Sequence, residues 1–209
     1  MAEEKRNTRK KIVETARALF HERGYHATGL SEILKASGAG AGSLYHFFAS
    51  KDELLSAVLD WYLEMLYPGV MDGPFASTTD PIGRVVAVLK GYREMLLMTD
   101  FNLGCPIGNL ALELGAGAGP VVREKIAQNF TNWCAALEKC LVEAGDRLPA
   151  NMDRAALARF ALTVMEGGIM QARSHRDIQY YDASVAQFED YLNRLQEQAT
   201  REKQARGEG

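Results

Sequence analysis

Apolar residues return along this chain at three- and four-residue intervals, and no stretch shows a convincing strand-like alternation. Near the start, Ile12, Val13, Ala16, Leu19 and Phe20 form one such stripe; Asn7 or Thr8 can cap the helix it marks, and Gly24 ends it. Thr28 reads as the N-cap of a short helix carrying Leu30, Ile33 and Leu34. Ser37-Gly38 stops that helix, because glycine enters the left-handed conformation at little steric cost. A second short helix, from about Gly40 to Phe48, buries Leu44 and Phe48 at i and i+4. This leaves Ser43 and His46 facing outward, with Tyr45 at the edge. Ser50-x-x-Glu53 is a capping box. It opens a long helix with Leu54, Leu55, Val58, Leu59, Tyr62, Leu63 and Leu66, ending near Tyr67-Pro68-Gly69.

The same reading continues to the end. Residues 73–80 read as a loop, and Asp80-Pro81 pairs a cap with a proline at the first helical position, opening a helix to about Met98. After a loop over 99–104, Pro106 starts a short helix to about Leu114, stopped by the glycine-alanine run 115–119. Pro120 opens what reads as the longest helix, to about Ala144, and Asn151 caps another reaching roughly Ser174. The last helix is expected from about Asp182 to Arg201, with a polar, frayed tail beyond it. Val185, Phe188, Leu192 and Leu195 share one of its faces, and an exposed stripe of that width needs a partner. The fold class is all-α: nine helices, three in an N-terminal head and six behind it.

Helix, glycine-broken turn, helix over residues 28–48 is the helix-turn-helix layout, with the second helix presented to the DNA major groove. Charge agrees independently. Between Lys5 and Lys51 there are nine Lys or Arg against three Glu, a net of +6, in a chain whose net charge is −3; the remainder therefore carries −9. A polarised chain with one basic end suits a phosphate backbone. At 209 residues and 47% hydrophobic there is material for a real core. No run of 18 apolar residues and no signal-peptide pattern occurs, and the three cysteines, at 105, 134 and 140, have neither zinc nor disulfide spacing, so a reduced, cytoplasmic location is expected.

From Thr8 to Leu55 the chain resembles the N-terminal domain of the TetR family of bacterial transcriptional regulators. The resemblance rests on Ala16, Leu19, Phe20, Arg23-Gly24-Tyr25, Thr28, Ile33, Gly38, Leu44-Tyr45, Phe48, Ser50-Lys51 and Leu54-Leu55, in order and without gaps. Gly104-Cys105-Pro106-Ile107-Gly108-Asn109-Leu110, with Glu113, is similar to one subgroup of the family. The resemblance implies a helix-turn-helix DNA-binding domain over 1–52 and a six-helix ligand-binding and dimerisation domain over 53–209. It also implies a homodimer held by the last two helices, a pseudo-palindromic operator, and release by a small apolar or aromatic effector.

Thr28 and Lys51, at helix N-termini, are candidates for phosphate contacts. Tyr45 matches the family's nearly fixed tyrosine, which reaches a phosphate or a thymine methyl, and Ser43 and His46 are candidates for base edges. Gly40 and Ala41 stand where many relatives carry polar residues, so readout leans on fewer side chains and on DNA shape. Behind the head, the resemblance implies that some of Trp61, Met65, Tyr92, Phe101, Cys105, Asn109, Trp133, Met165 and Glu166 line an effector cavity, with Gln171 and Arg173 as further polar candidates. Gly167-Gly168 inside a helix implies either close approach of a neighbour or room for a ligand. Cys105, at a helix entrance between two glycines, is placed either to pack or to offer an accessible thiol, whereas Cys134 and Cys140 are expected to be buried and inert.

Catalytic, metal and cofactor readings are weaker. Gly38-x-Gly40-x-Gly42 lacks the third glycine at 43 and the preceding strand of a dinucleotide fingerprint. His21 and His26 are five apart, about 500° around a helix, and so share no face. No nucleophile, base and orienting carboxylate assemble from sequence proximity, so no catalytic, metal or cofactor residue is assigned. The alternatives kept open are a DNA-binding regulator without small-molecule input and, further off, a helical-bundle enzyme.

Overall fold

The computed structural model describes residues 2–207, and among them it is helical with no strand. Ten α-helices follow in order: α1 (Ala2–Arg23), α2 (Leu30–Ser37), α3 (Ala41–Phe47), α4 (Lys51–Glu64), α5 (Asp72–Ser77), α6 (Pro81–Met98), α7 (Pro106–Leu114), α8 (Pro120–Glu143), α9 (Arg154–His175) and α10 (Gln179–Arg206). They fall into two compact units. One comprises residues 1–65 with 105–130; the other comprises 66–104 with 131–209.

In the first unit, α1 packs against α2, α3 and α4. Of the residues the periodicity marks, Ile12, Val13, Ala16, Leu19, Phe20, Ile33, Leu44, Phe48, Leu54, Leu55 and Val58 are buried, while Leu30, Leu34, Tyr62 and Leu63 are half-buried. Gly24 (φ +90°) closes α1 and Gly38 (φ +66°) closes α2, both in the left-handed region that favours glycine. The Ser50 hydroxyl accepts the Glu53 N–H at 3.1 Å, and the Glu53 carboxylate accepts the Ala49 N–H at 2.8 Å, a capping box with its return bond one residue early. The first half of α8 is tied to α4: Lys125 Nζ lies 2.6 Å from the Asp60 carboxylate, and the Asn129 side chain donates to the Leu59 carbonyl at 3.3 Å.

In the second unit, α9 and α10 pack along each other and both touch α6. Asp80 caps α6, its carboxylate accepting the Gly83 N–H at 2.9 Å, with Pro81 at the first helical position. Tyr181 is fully buried and donates its hydroxyl to the Leu89 carbonyl at 2.8 Å. Gly168 makes that packing possible: a Cβ there would stand 2.9 Å from the Tyr181 ring.

The structure corrects several expectations. Helix α1 begins at Ala2, not at Asn7 or Thr8, so the early basic residues ride on a helix; Lys10 and Glu14 pair across one of its turns. Thr28 is not a cap: Gly29 holds that position without a side-chain bond, and the Thr28 hydroxyl donates inward to the Gly24 carbonyl at 2.7 Å. Pro68 has no N–H to continue the ladder of α4, and the chain widens into a π-type turn over Leu66–Met71 before α5 forms where a loop was expected, giving ten helices rather than nine. Asp153, not Asn151, caps α9 through the Ala156 N–H at 2.9 Å. Helix α10, at 28 residues, exceeds α8 at 24 and continues past Arg201 to Arg206.

Candidate nucleic-acid interface

The reading surface is built from the turn outward. Gly40 precedes α3 in an extended conformation and Phe48 ends it, its N–H bonding the Leu44 carbonyl at 2.8 Å. Leu44 and Phe48 face the core, which leaves Tyr45 62% exposed and His46 exposed, with Ser43 and Phe47 half-buried. The Phe47 ring sits between its neighbours, 5.0 Å from that of His46 and 6.4 Å from that of Phe48. Two cations of α1 flank this helix without having stood out in the sequence: the Arg9 guanidinium lies 5.2 Å over the Phe48 ring, and Lys11 Nζ is 3.8 Å from where a Cβ of Gly38 would stand. Their signal was the basic run itself, which sequence cannot resolve into faces.

Two phosphate candidates fare differently from expectation. Thr28 has no exposed surface, so its side chain is a buried strut of the α1–α2 corner and not a group presented to DNA. Lys51 is half-buried at the start of α4. One of its three donors bonds the Tyr25 carbonyl at 2.5 Å and its ammonium lies 4.1 Å over the Tyr25 ring, leaving two donors. Burial lowers the Lys51 pKa, against the raising influence of the Glu113 and Asp52 carboxylates. The Tyr25 phenol is pushed well above its ordinary range by burial and by its bond to Asp52.

Of the nine residues assigned to an effector cavity, Trp61, Met65, Cys105 and Asn109 lie in the first unit and Tyr92, Phe101, Trp133, Met165 and Glu166 in the second. The Arg17 guanidinium stacks 4.5 Å over Trp61, and beside it burial pushes the Tyr62 phenol up to about 12. Met65 terminates α4, bonding the Trp61 carbonyl at 3.0 Å, and Asn109 sits half-buried in the first turns of α7. Tyr92 and Trp133 come together as a buried ring pair at 5.7 Å, and Met165 is buried while Glu166 is half-buried on the next position of α9. Phe101 occupies a left-handed conformation (φ +59°), and its carbonyl accepts from Arg173 at 3.3 Å. Arg173 thus holds the 99–104 loop by the Phe101 and Asn102 carbonyls.

Cys105 is buried, and its sulfur accepts the Gly108 N–H at 3.3 Å as the cap of α7; the neighbouring glycines do not expose it. Cys140 is buried as expected, but Cys134 is half-buried, and desolvation raises the thiol pKa of both. No group of three His, Cys, Asp or Glu among the described residues is placed to hold a metal ion, and no helix is long and apolar enough to cross a membrane.

Between α9 and α10 runs an open groove of about 880 Å³ lined by Phe160, Thr163, Val164, Gly167, Ser184 and Tyr191. Phe160 is 46% exposed and its ring meets that of Tyr191 edge-on at 6.0 Å. The stripe expected here, Val185, Phe188, Leu192 and Leu195, is instead buried within the chain, Phe188 to 1% exposure. Periodicity found an apolar face but could not say that α6 and α9 already cover it.

A glycine-hinged helix pair beside a basic first helix, with an aromatic and a histidine exposed on its second helix, defines a sequence-reading DNA-binding protein. Comparison with known proteins makes this specific. Residues 12–58 match the family described as bacterial regulatory proteins, tetR family, and residues 81–188 match a tetracyclin repressor-like C-terminal domain. The chain belongs to the TetR family of transcriptional regulators, a family of regulators and not of enzymes. It is 32% identical over 171 residues to the uncharacterized HTH-type transcriptional regulator YxaF of Bacillus subtilis, covering 82% of this chain and 87% of that protein. It is 28% identical to the HTH-type transcriptional repressor DhaR of Mycobacterium sp. strain GP1, covering 81% and 84%. The crystal structure of regulatory protein TetR from Rhodobacter sphaeroides superposes with a TM-score of 0.75 at 25% identity, covering 86% of this chain and 95% of that one.

Proposed function

We propose that the chain is a homodimeric, cytoplasmic repressor that binds a pseudo-palindromic operator and is released by a small apolar or aromatic effector. The observation that carries this is α3: Tyr45 and His46 project from a helix whose opposite side is locked into the core by Leu44 and Phe48. Ser43 and His46 read base edges, Tyr45 reaches a phosphate or a thymine methyl, and Lys51 offers its remaining donors to a phosphate. A relative named as a repressor, DhaR, supports the sign of the regulation. Dimerisation supplies two heads for half-sites roughly 34–36 Å apart or multiples of that spacing. The functional division runs 1–52 for DNA and 53–209 for ligand and dimer, and the Gly104–Leu110 segment with Glu113 marks the subgroup. Aromatic residues such as Tyr92 and Trp133 support an apolar or aromatic effector, which must favour the non-binding state by about 1–3 kcal/mol of coupling.

The test is selection of duplexes from a random pool by the purified chain, then titration of the selected duplex with variants. His46→Ala is expected to change the preference among related duplexes by about 1–3 kcal/mol at one position. Lys51→Ala is expected to weaken all duplexes alike and to reduce the salt slope by about one. If no duplex is enriched, or if both variants bind as wild type does, this assignment of the reading face is wrong.

A further inference from the structure

Glu113 is remote in sequence from the DNA-reading head yet stands at its corner. Its carboxylate accepts the backbone N–H of Tyr25 at 2.8 Å and that of His26 at 2.6 Å. Both amides follow Gly24, whose positive φ turns successive N–H groups toward one point and so forms an anion-binding nest. A Cβ at Gly24 would lie 3.0 Å from each carboxylate oxygen, so the glycine also leaves the space the carboxylate fills. Tyr25 is gripped from other sides as well: Lys51 Nζ holds its carbonyl at 2.5 Å, and its hydroxyl donates to Asp52. The turn joining α1 to α2 is therefore fixed by two residues of α4 and by one of α7. Helix α7 lies in the same compact unit as the head although residues 65–105 separate it from α4.

We propose that Glu113 is a positioning residue for operator binding: it latches α7 onto the α1–α2 corner and sets the presentation of α2 and α3 to DNA. This rests on the operator-binding reading above. Charge-assisted bonds to two amides are stronger than neutral ones, and replacing them with water loosens a turn whose next residues lead directly into α2. Any shift of α7 along its axis moves the carboxylate off the nest, so the position of α7 is transmitted to the head as the presence or absence of two hydrogen bonds. Glu113 itself touches no DNA in this scheme.

The experiment uses the full chain as wild type, Glu113→Gln and Glu113→Ala, with a duplex selected by the wild type. Affinity is measured across a salt series, and amide exchange at Tyr25 and His26 by NMR without DNA. Glu113→Ala is expected to bind roughly tenfold more weakly, within the range of ordinary coupling effects. Its salt slope should match wild type, because no phosphate contact is removed. Both amides should exchange faster in Glu113→Ala. Glu113→Gln, which keeps an acceptor oxygen and the size of the side chain, should fall between the two. Equal affinity in all three proteins overturns the proposal, as does weakened binding with unchanged exchange at the two amides. If Glu113→Ala fails to fold, Glu113→Gln decides by the same two readouts. A wild type that enriches no duplex sinks the operator-binding reading instead, and the exchange measurement still decides whether the latch exists.

Discussion

At the scale of single residues, two adjacent glycines in α9 have opposite surroundings. A Cβ on Gly168 would stand 2.9 Å from the Tyr181 ring, whereas Gly167 has nothing within 4 Å in the chain and faces the open groove. Tyr181 cannot yield easily, since it is fully buried and anchored by its hydroxyl to the Leu89 carbonyl. Gly168→Ala is therefore expected to destabilise by about 1–3 kcal/mol through overpacking. Gly167→Ala is expected to be neutral or to stabilise by up to about 1 kcal/mol, the helix-propensity difference. Urea denaturation of the two variants checks the ordering, and equal midpoints would contradict it. Sequence flagged the pair as costly in a helix but could not assign the cost, because close approach is a relation to α10 and not a property of the glycines. Thr28 teaches the same lesson: a hydroxyl before a helix is a cap by pattern, yet here the α1–α2 corner turns it inward.

Among the elements, α9 and α10 carry one apolar face buried within the chain and another that lines the open groove. Phe188 and Leu192 belong to the first and Phe160 and Tyr191 to the second, although Phe160 and Phe188 are close enough for their rings to meet at 5.6 Å. If the groove is the dimer face, Phe160→Glu with Tyr191→Glu should give folded monomers in sedimentation and abolish operator binding. Phe188→Glu should instead lose the cooperative thermal transition, because it places a charge in a core position. A folded dimer surviving the Phe160 and Tyr191 changes would move the interface elsewhere. Element boundaries followed local chemistry wherever that chemistry was self-contained, as at Gly38, Ser50 and Asp80-Pro81. They departed from it at Pro68, where the missing N–H was accommodated by a wider turn and a further helix in place of a loop.

For the whole molecule, two carboxylates of the second unit contribute to the acid side of the stability profile. The Arg147 guanidinium, with the Gly83 amide, holds the Asp80 carboxyl below its ordinary value, and Lys203 does the same for Asp146. A depressed folded-state pKa adds stability that is present above the ordinary carboxylate value and disappears as pH falls through the folded one. Wild type should therefore lose stability between pH of about 5 and the low end of the carboxylate range. The variant Asp80→Asn with Asp146→Asn should start lower at neutral pH and lose less on acidification; asparagine still caps α6, which isolates the charge. Unfolding midpoints measured across that range test this, and parallel curves would show that the two pairs carry none of the dependence.

What the sequence determined by itself was whatever repeats within about one helical turn: the all-helical class, the glycine-stopped helix pair, the capping box, and a head at +6 in a chain at −3. Those features depend on neighbours three or four residues apart, so a linear pattern contains them. The exposure of Tyr45 and His46 was legible for the same reason, since Leu44 and Phe48 fix the opposite face. Tertiary structure alone decided which apolar stripe was already covered, that Arg173 holds a loop, that Cys105 is a buried cap, and that Glu113 reaches back nearly 90 residues to two backbone amides. Each of these is a contact between segments distant in the chain. Side-chain type limits what a residue can bond, but only packing brings its partner within reach.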